Sequence, residues 1–182
     1  MAPSASSGKR FPARTYVFFG VLALVLLGFL WDGSPLGSLV LRKAVAAKFS
    51  TVRRVSPDEL VAWSRDPNRP PPLLVDFRPP EQFRMSHIEG AVNVDPAAPD
   101  LASLRRVTPE TPLVVYDGPG LLGAAMVSGL SEAGFTRVSH LEGGLFRWVN
   151  EGHPVVDDAG PATAVHPINF WWGRLLKSAH HP

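Results

Sequence analysis

The longest apolar stretch of the chain comes first. Thr15–Trp31 runs about 17 residues without a charge, with Tyr16 and Trp31 at its ends. That is the short end of what spans a bilayer as a helix, with aromatics where headgroups would lie. The residues that follow, Asp32–Gly33–Ser34–Pro35–Leu36, offer no small-x-small cleavage site, and Ala44-Val45-Ala46 lies too far downstream for one. The pattern therefore predicts a basic segment over 1–14, then an uncleaved transmembrane helix over 15–31. Ser34–Pro35 opens a further helix, Ser as cap and Pro in the first position. Leu36, Leu39, Val40 and Phe49 are expected on one side of it, away from Arg42, Lys43 and Lys48. This is an amphipathic connector over 32–50, resting on the membrane or on the domain.

From Thr51 onward the pattern changes to short apolar runs separated by helical segments. Thr51–Val55 reads as a strand, and Ser56-Pro57-Asp58-Glu59 is a capping box that starts a helix over Pro57–Ser64. Asp66–Pro72 is a Pro-rich loop, Leu73–Phe77 a strand and Pro80–Arg84 a helical turn. Ala91–Val94 is a third strand, followed by helical turns at Leu101–Arg106 and by the strand Leu113–Tyr116. Ala124–Ala133 reads as a helix, Val138–Leu141 as a strand and Leu145–Asn150 as a closing helix. Strands alternating with helices imply an α/β domain over 51–156, its mostly parallel five-stranded sheet covered on both faces. Residues 157–182 remain as a Gly/Pro/Ala linker and an aromatic tail.

Composition narrows the chemistry. The 182 residues carry a formal net charge of +2, with the basic residues scattered rather than striped, so there is no nucleic-acid footprint. There is no cysteine, which removes disulfides, thiolate nucleophiles and Cys-based metal or iron–sulfur sites. Lys9, Arg10, Arg14 and the amino terminus precede the apolar run, against Arg42 and Lys43 after it. The positive-inside rule then favours the main domain outside the cytoplasm, in a bacterial envelope.

The stretch that organises the domain is Leu113–Gly123, an apolar strand running into Asp117-Gly118-Pro119-Gly120-Leu121-Leu122-Gly123. A strand that feeds a tight loop at a helix N-terminus aims several backbone N–H groups at one point, where negative charge is favoured. Two flanking segments make the pattern specific. Leu74-Val75-Asp76-Phe77-Arg78, Glu81-Gln82-Phe83 and Ser86-His87-Ile88-Glu89-Gly90-Ala91-Val92-Asn93-Val94 precede the loop. Leu141-Glu142-Gly143-Gly144, Trp148 and Gly152-His153-Pro154-Val155 follow it. Together, from about Arg54 to Val156, these segments resemble a single rhodanese-like (sulfurtransferase homology) domain.

The resemblance implies an active-site loop that begins with a persulfide-carrying cysteine in a pattern like Cys–x–x–Gly–x–Arg–Ser. Here Asp117 falls on the cysteine, Gly120 on the glycine, Leu122 on the arginine and Gly123 on the serine. A carboxylate cannot carry a sulfane sulfur, Leu122 supplies no cation, and Pro119 removes one N–H donor. Asp117 is expected instead to fold back and accept the loop's own N–H groups. An Asp117 nucleophile or base would need a metal, a general acid or a second carboxylate, and the loop supplies none. Asp76, Arg78 and Glu81 are expected as an ion-pair and hydrogen-bond set at the strand ends, with His87 as a packed turn histidine. No cofactor and no metal are expected.

Val165–Lys177 places Phe170, Trp171 and Trp172 beside Arg174 and Lys177, with Asn169 as a cap. Such a segment suits a membrane interface, a protein partner or a groove of its own domain, and the sequence leaves all three open. The expected function is a membrane-anchored, catalytically inactive rhodanese-like domain that binds a partner protein through the loop face or the tail. The alternatives are an enzyme or small-anion sensor with Asp117 in a new role, and a purely structural membrane-complex subunit.

Overall fold

A computed structural model of the chain describes residues 35–100, 104 and 107–182. The expected membrane span, and most of the Leu101–Arg106 turns, lie outside the described residues. Among those described, no helix is long and apolar enough to cross a membrane.

Five short strands form one parallel sheet: β1 (Arg54–Val55), β2 (Leu73–Asp76), β3 (Val92–Asn93), β4 (Leu113–Tyr116) and β5 (Val138–Leu141), in the order β1-β5-β4-β2-β3. Strand β4 occupies the centre, with Leu73–Asp76 in register against Leu113–Tyr116 on one side and Val115 opposite His140 on the other. Parallel sheets are covered on both faces, so a central strand reads as continuously apolar rather than alternating. Leu113, Val114, Val115 and Tyr116 are all fully buried. Their alternation decides only which layer each enters: Val114 and Tyr116 face one core cluster, Leu113 and Val115 the other.

The first layer holds α2 (Pro57–Arg65) and α5 (Gly144–Asn150) through Leu60, Trp63, Leu145, Phe146, Trp148 and Val149. The second holds α4 (Leu122–Glu132) through Val127 and Leu130, with Leu104 beside them. Helix α2 starts where the sequence places it. Ser56 Oγ accepts from Glu59 N at 3.3 Å and Glu59 Oε2 accepts from Ser56 N at 2.7 Å, which completes the capping box. The short α3 (Pro80–Met85) links β2 to β3.

Three elements differ from the sequence pattern. Helix α1 (Pro35–Lys48) does form, but its inward stripe is Gly37, Leu41 and Val45. Leu36, Leu39 and Val40 share the outward face and are 40–43 % exposed, while Phe49 is half-buried. The stretch read as a linker holds an antiparallel hairpin, β6 (Val155–Asp157) and β7 (Gly160–Ala162). Asp157 Oδ1 closes its turn by accepting from Ala159 N at 2.7 Å and Gly160 N at 3.0 Å, an Asx turn hidden in a polar stretch.

The tail is the third. It contains α6 (Phe170–Gly173), capped by Asn169 Oδ1 accepting from Trp171 N and Trp172 N at 3.0 and 3.1 Å. Beyond α6 the chain returns to the domain, and Val165, Leu175 and Leu176 are buried in the first core layer. Asn150 ties this return to α5: its Nδ2 donates to Leu175 O at 2.6 Å and its Oδ1 accepts from Lys177 N at 2.9 Å. Losing both bonds leaves backbone groups without partners at the edge of the core. Asn150→Ala is therefore expected to destabilise the fold by about 1–3 kcal/mol, measured as a lower urea midpoint with an unchanged slope.

Candidate functional site

The loop after β4 is built around a buried carboxylate. Asp117 is 3 % exposed. Its Oδ2 accepts from Leu121 N and Leu122 N at 3.3 and 3.2 Å, and its Oδ1 from Gly123 N at 3.0 Å. Those are the donors that the strand–loop–helix geometry aims at one point, and the chain's own side chain occupies them. Burial raises the Asp117 pKa above its ordinary value. The three N–H donors pull the other way, and the negative charge of Asp76 adds to burial.

The loop's backbone is backed by a second glycine turn. Leu145 N donates to Asp117 O at 2.9 Å and Phe146 N to Gly118 O at 3.0 Å. The approach is close enough that a Cβ on Gly144 would lie 2.5 Å from both carbonyl oxygens. On its outer side the loop is covered. Ile168 of the tail reaches Gly118, its Cδ1 only 2.7 Å from where a Cβ would stand, and Phe146 lies just beyond. Ser38, Leu41 and Arg42 of α1 face Pro119 across a gap of about 10 Å³, scarcely room for one water. Residues 117–120 are accordingly buried, Leu121 is half-buried, and Leu122, 49 % exposed, reaches the surface.

The residue that seals Gly118 is itself held in an unfavourable backbone. Ile168 has φ +68°, a region β-branched residues rarely occupy. Its N–H donates to His166 Nδ1 at 3.0 Å, and Asn169 N donates across it to Pro167 O at 2.8 Å. This is a γ-turn of the strained hand.

The next strand end carries a buried ion pair. Arg78 Nε donates to both oxygens of Asp76, at 2.9 and 3.1 Å, and Nη2 donates to Asp76 Oδ2 and Ser86 O, each at 2.6 Å. Asn93 Nδ2 bridges Asp76 O and Arg78 O, and Tyr116 Oη accepts from Ile88 N at 3.1 Å. Burial and the Asp76 charge keep the Tyr116 hydroxyl protonated far above its usual range. Glu81 is not part of this set. It sits in the first turn of α3, is exposed, and makes no ion pair with any described residue. An exposed helix-start carboxylate is satisfied by water and the helix dipole, while the buried Arg78 is already engaged by Asp76 and Ser86. His87 stacks on Phe83 at 3.9 Å, donates from Nδ1 to Phe83 O, and exchanges backbone bonds with Val156. It ties α3 to β6.

His140 is a site residue that the sequence pattern did not single out. It lies on β5, 1 % exposed, and neither ring nitrogen has a hydrogen-bond partner among the described residues. Burial first, then the positive charge of Arg54, lower its pKa to about 4, against a smaller opposing effect of the Gly120 backbone. Its Cδ2 would stand 3.0 Å from a Cβ on Gly123, and Asp117 Oδ1 would stand 3.2 Å from the same point. The one available signal was a histidine inside a short strand flanked by Val138 and Leu141. Phe170 and Trp171 are 64 % and 73 % exposed, whereas Trp172 packs against the core and Arg174 lies over the Phe170 ring at 4.9 Å. Among the described residues no cluster of His, Asp or Glu could hold a metal ion.

Comparison with known proteins bears on this arrangement directly. The model of the rhodanese-like domain matches residues 56–151, just over half of the chain. The chain belongs to the rhodanese-like family. It is 28 % identical over 117 residues to the uncharacterized protein YibN of Escherichia coli K12, covering 63 % of this chain and 77 % of YibN. Its fold resembles the BH2092 protein of Bacillus halodurans with a TM-score of 0.52, at 23 % identity over 61 % of this chain and 81 % of that one. The thiosulfate sulfurtransferase of Pseudomonas aeruginosa superposes with a TM-score of 0.50 and 26 % identity, over 59 % of this chain and 20 % of that one.

Set against the family loop, the rhodanese-like chain keeps the backbone cradle and fills it. A side chain at position 123 would press on His140, which would have to give by a few tenths of an ångström, so Gly123 suits the buried imidazole. The depressed His140 pKa has a pH consequence. The unfolded chain takes up a proton near pH 6.5 and the folded one only near pH 4, so the folded state loses relative stability as pH falls through that window. The loss should be on the order of 3 kcal/mol at its acid end. His140→Leu should remove most of that acid sensitivity, as read from urea midpoints taken between pH 7 and pH 4.

Proposed function

We propose that this rhodanese-like domain is catalytically silent and works as a protein-binding module held at a membrane. One observation carries the reading: Asp117 stands where the sulfur-carrying cysteine would be and takes three of the cradle's N–H donors itself. An incoming thiosulfate or phosphate would meet a negative charge, no cation at Leu122 and no N–H at Pro119. It would also have to pass α1 and Ile168 to reach the loop. These points argue equally against a carboxylate enzyme or an anion sensor, since neither could admit its ligand.

Membrane attachment rests on the apolar run over 15–31, with Lys9, Arg10 and Arg14 before it favouring a domain outside the cytoplasm. The loop itself is covered, so a protein partner is received on other surfaces. The full chain is expected to show no sulfur transfer from thiosulfate to cyanide and no hydrolysis of an aryl phosphate. Asp117→Cys alone should not create turnover, because the missing cation and the covering elements are untouched. Turnover by the unaltered chain that Asp117→Ala abolishes would overturn the reading.

A further inference from the structure

The large hydrophobic side chains exposed among the described residues are Leu36, Leu39 and Val40 of α1, Leu122, and Phe170 and Trp171 of α6. They come from three separate parts of the sequence, yet the fold gathers those parts at one end of the sheet. Helix α1 faces Pro119 through Ser38 and Leu41. Leu122 follows that proline by three residues. Helix α6 starts two residues after Ile168, whose side chain sits on Gly118. The elements that carry these exposed apolar side chains thus meet at the covered loop, at the C-terminal end of β4.

The charges on the rim elements have one sign. Neither α1 nor the segment 165–182 contains an acidic residue, while between them they carry Arg42, Lys43, Lys48, Arg174 and Lys177. Arg42 is engaged by Glu142 at 3.4 Å, but Lys43 is exposed on the same outward side of α1 as Leu36 and Val40. Exposed Trp, Phe and Leu interleaved with cations, without carboxylates, is the composition that sits at a bilayer interface. Ordinary soluble domains rarely gather their exposed large apolar residues in this way.

The chain outside the described residues points the same way. Only Asp32, Gly33 and Ser34 separate Trp31, the end of the apolar run, from Pro35 at the start of α1. Fully extended, that link reaches about 14 Å. With residues 15–31 in a bilayer, the start of α1 stays at the headgroup region or just outside it. We infer that the rim of Leu36, Leu39, Val40, Leu122, Phe170 and Trp171 lies against an anionic lipid surface, so that the covered loop faces the membrane. The inference deepens the membrane-held reading above, and it leaves the opposite end of the sheet for the protein partner.

Because the chain has no cysteine, a single reporter can be placed without interference. Full-length protein carrying Leu39→Cys, Trp171→Cys or Glu110→Cys, each labelled with an environment-sensitive fluorophore, is reconstituted into vesicles of phosphatidylcholine and phosphatidylglycerol. Glu110 is exposed and precedes β4, at the far end of the sheet. The expected result is blue-shifted emission at positions 39 and 171, lost when nitroxide-labelled lipids are included, and water-like unquenched emission at position 110. Equal, unquenched emission at all three positions overturns the inference. So does a blue shift at position 39 that grows with protein concentration in detergent and ignores lipid quenchers, which would assign the rim to a second copy of the chain. Flotation after an alkaline wash reports separately on the anchor. Floating vesicles with unquenched labels sink the rim and spare the anchor, whereas quenched labels on protein that the wash releases do the reverse.

Discussion

A carboxylate at the end of a central parallel strand has to be solvated by something, and here the loop that follows it does the solvating. Asp117 accepts from the Leu121, Leu122 and Gly123 N–H groups. Each of those donors is an orphan of the start of α4, so one side chain meets two needs at once: it is desolvated by the fold and it caps the helix. The fit is not perfect, because burial still raises the Asp117 pKa. That imbalance is tolerable only while the loop backbone cannot move, and the close stacking of Gly144 against the Asp117 and Gly118 carbonyls is what holds it.

The adjacent strand end solves the same problem differently. Asp76 is as deeply buried as Asp117, but it has a guanidinium: Arg78 grips both of its oxygens and reaches on to Ser86. The two carboxylates stand on neighbouring strands, and the charge of one disfavours ionisation of the other. One is neutralised by a cation, the other by dipoles alone. In the family pattern the loop would bring its own arginine at position 122, and in this chain that position is a half-exposed leucine. The site as it stands is an internal cap, in which the Asp117 carboxylate takes three of the donors that the loop aims at one point.

Much of this was legible in the residues. The continuous apolar run of β4, the capping box at Ser56 and the Asp76-x-Arg78 spacing each act over a few residues, and local rules suffice to read them. The hairpin β6–β7 escaped because its signal is an Asx turn in a polar, Gly-containing stretch that composition marks as a linker. Glu81 lies three residues from Arg78 in sequence, but only burial decides which carboxylate an arginine needs. His140 and Ile168 were out of reach for a deeper reason. An unpartnered imidazole and a positive φ at a β-branched residue are both unfavourable locally, and only contacts distant in sequence keep them.

The elements that cover the loop lie mostly outside the segment that carries the family match. Residues 56–151 supply four of the five strands of the sheet, the loop and the Asp76–Arg78 pair. Helix α1 precedes that segment, and the tail with Ile168, Leu175 and Leu176 follows it, yet both are packed into the same core layer as Val114 and Tyr116. They are not appendages on a finished domain. Removing either would expose the loop and the apolar surface of α5 together, so the cover over the cradle is thermodynamically part of the fold. A lid that opened for substrate would have to expose Val165, Leu175 and Leu176 each time, against roughly 1.5–3 kcal/mol for each fully buried aliphatic side chain. The strained turn at Ile168 offsets only about 1–3 kcal/mol of that. On this comparison the closed loop is the resting state of the domain, and its outward surface is the apolar rim that the covering elements create.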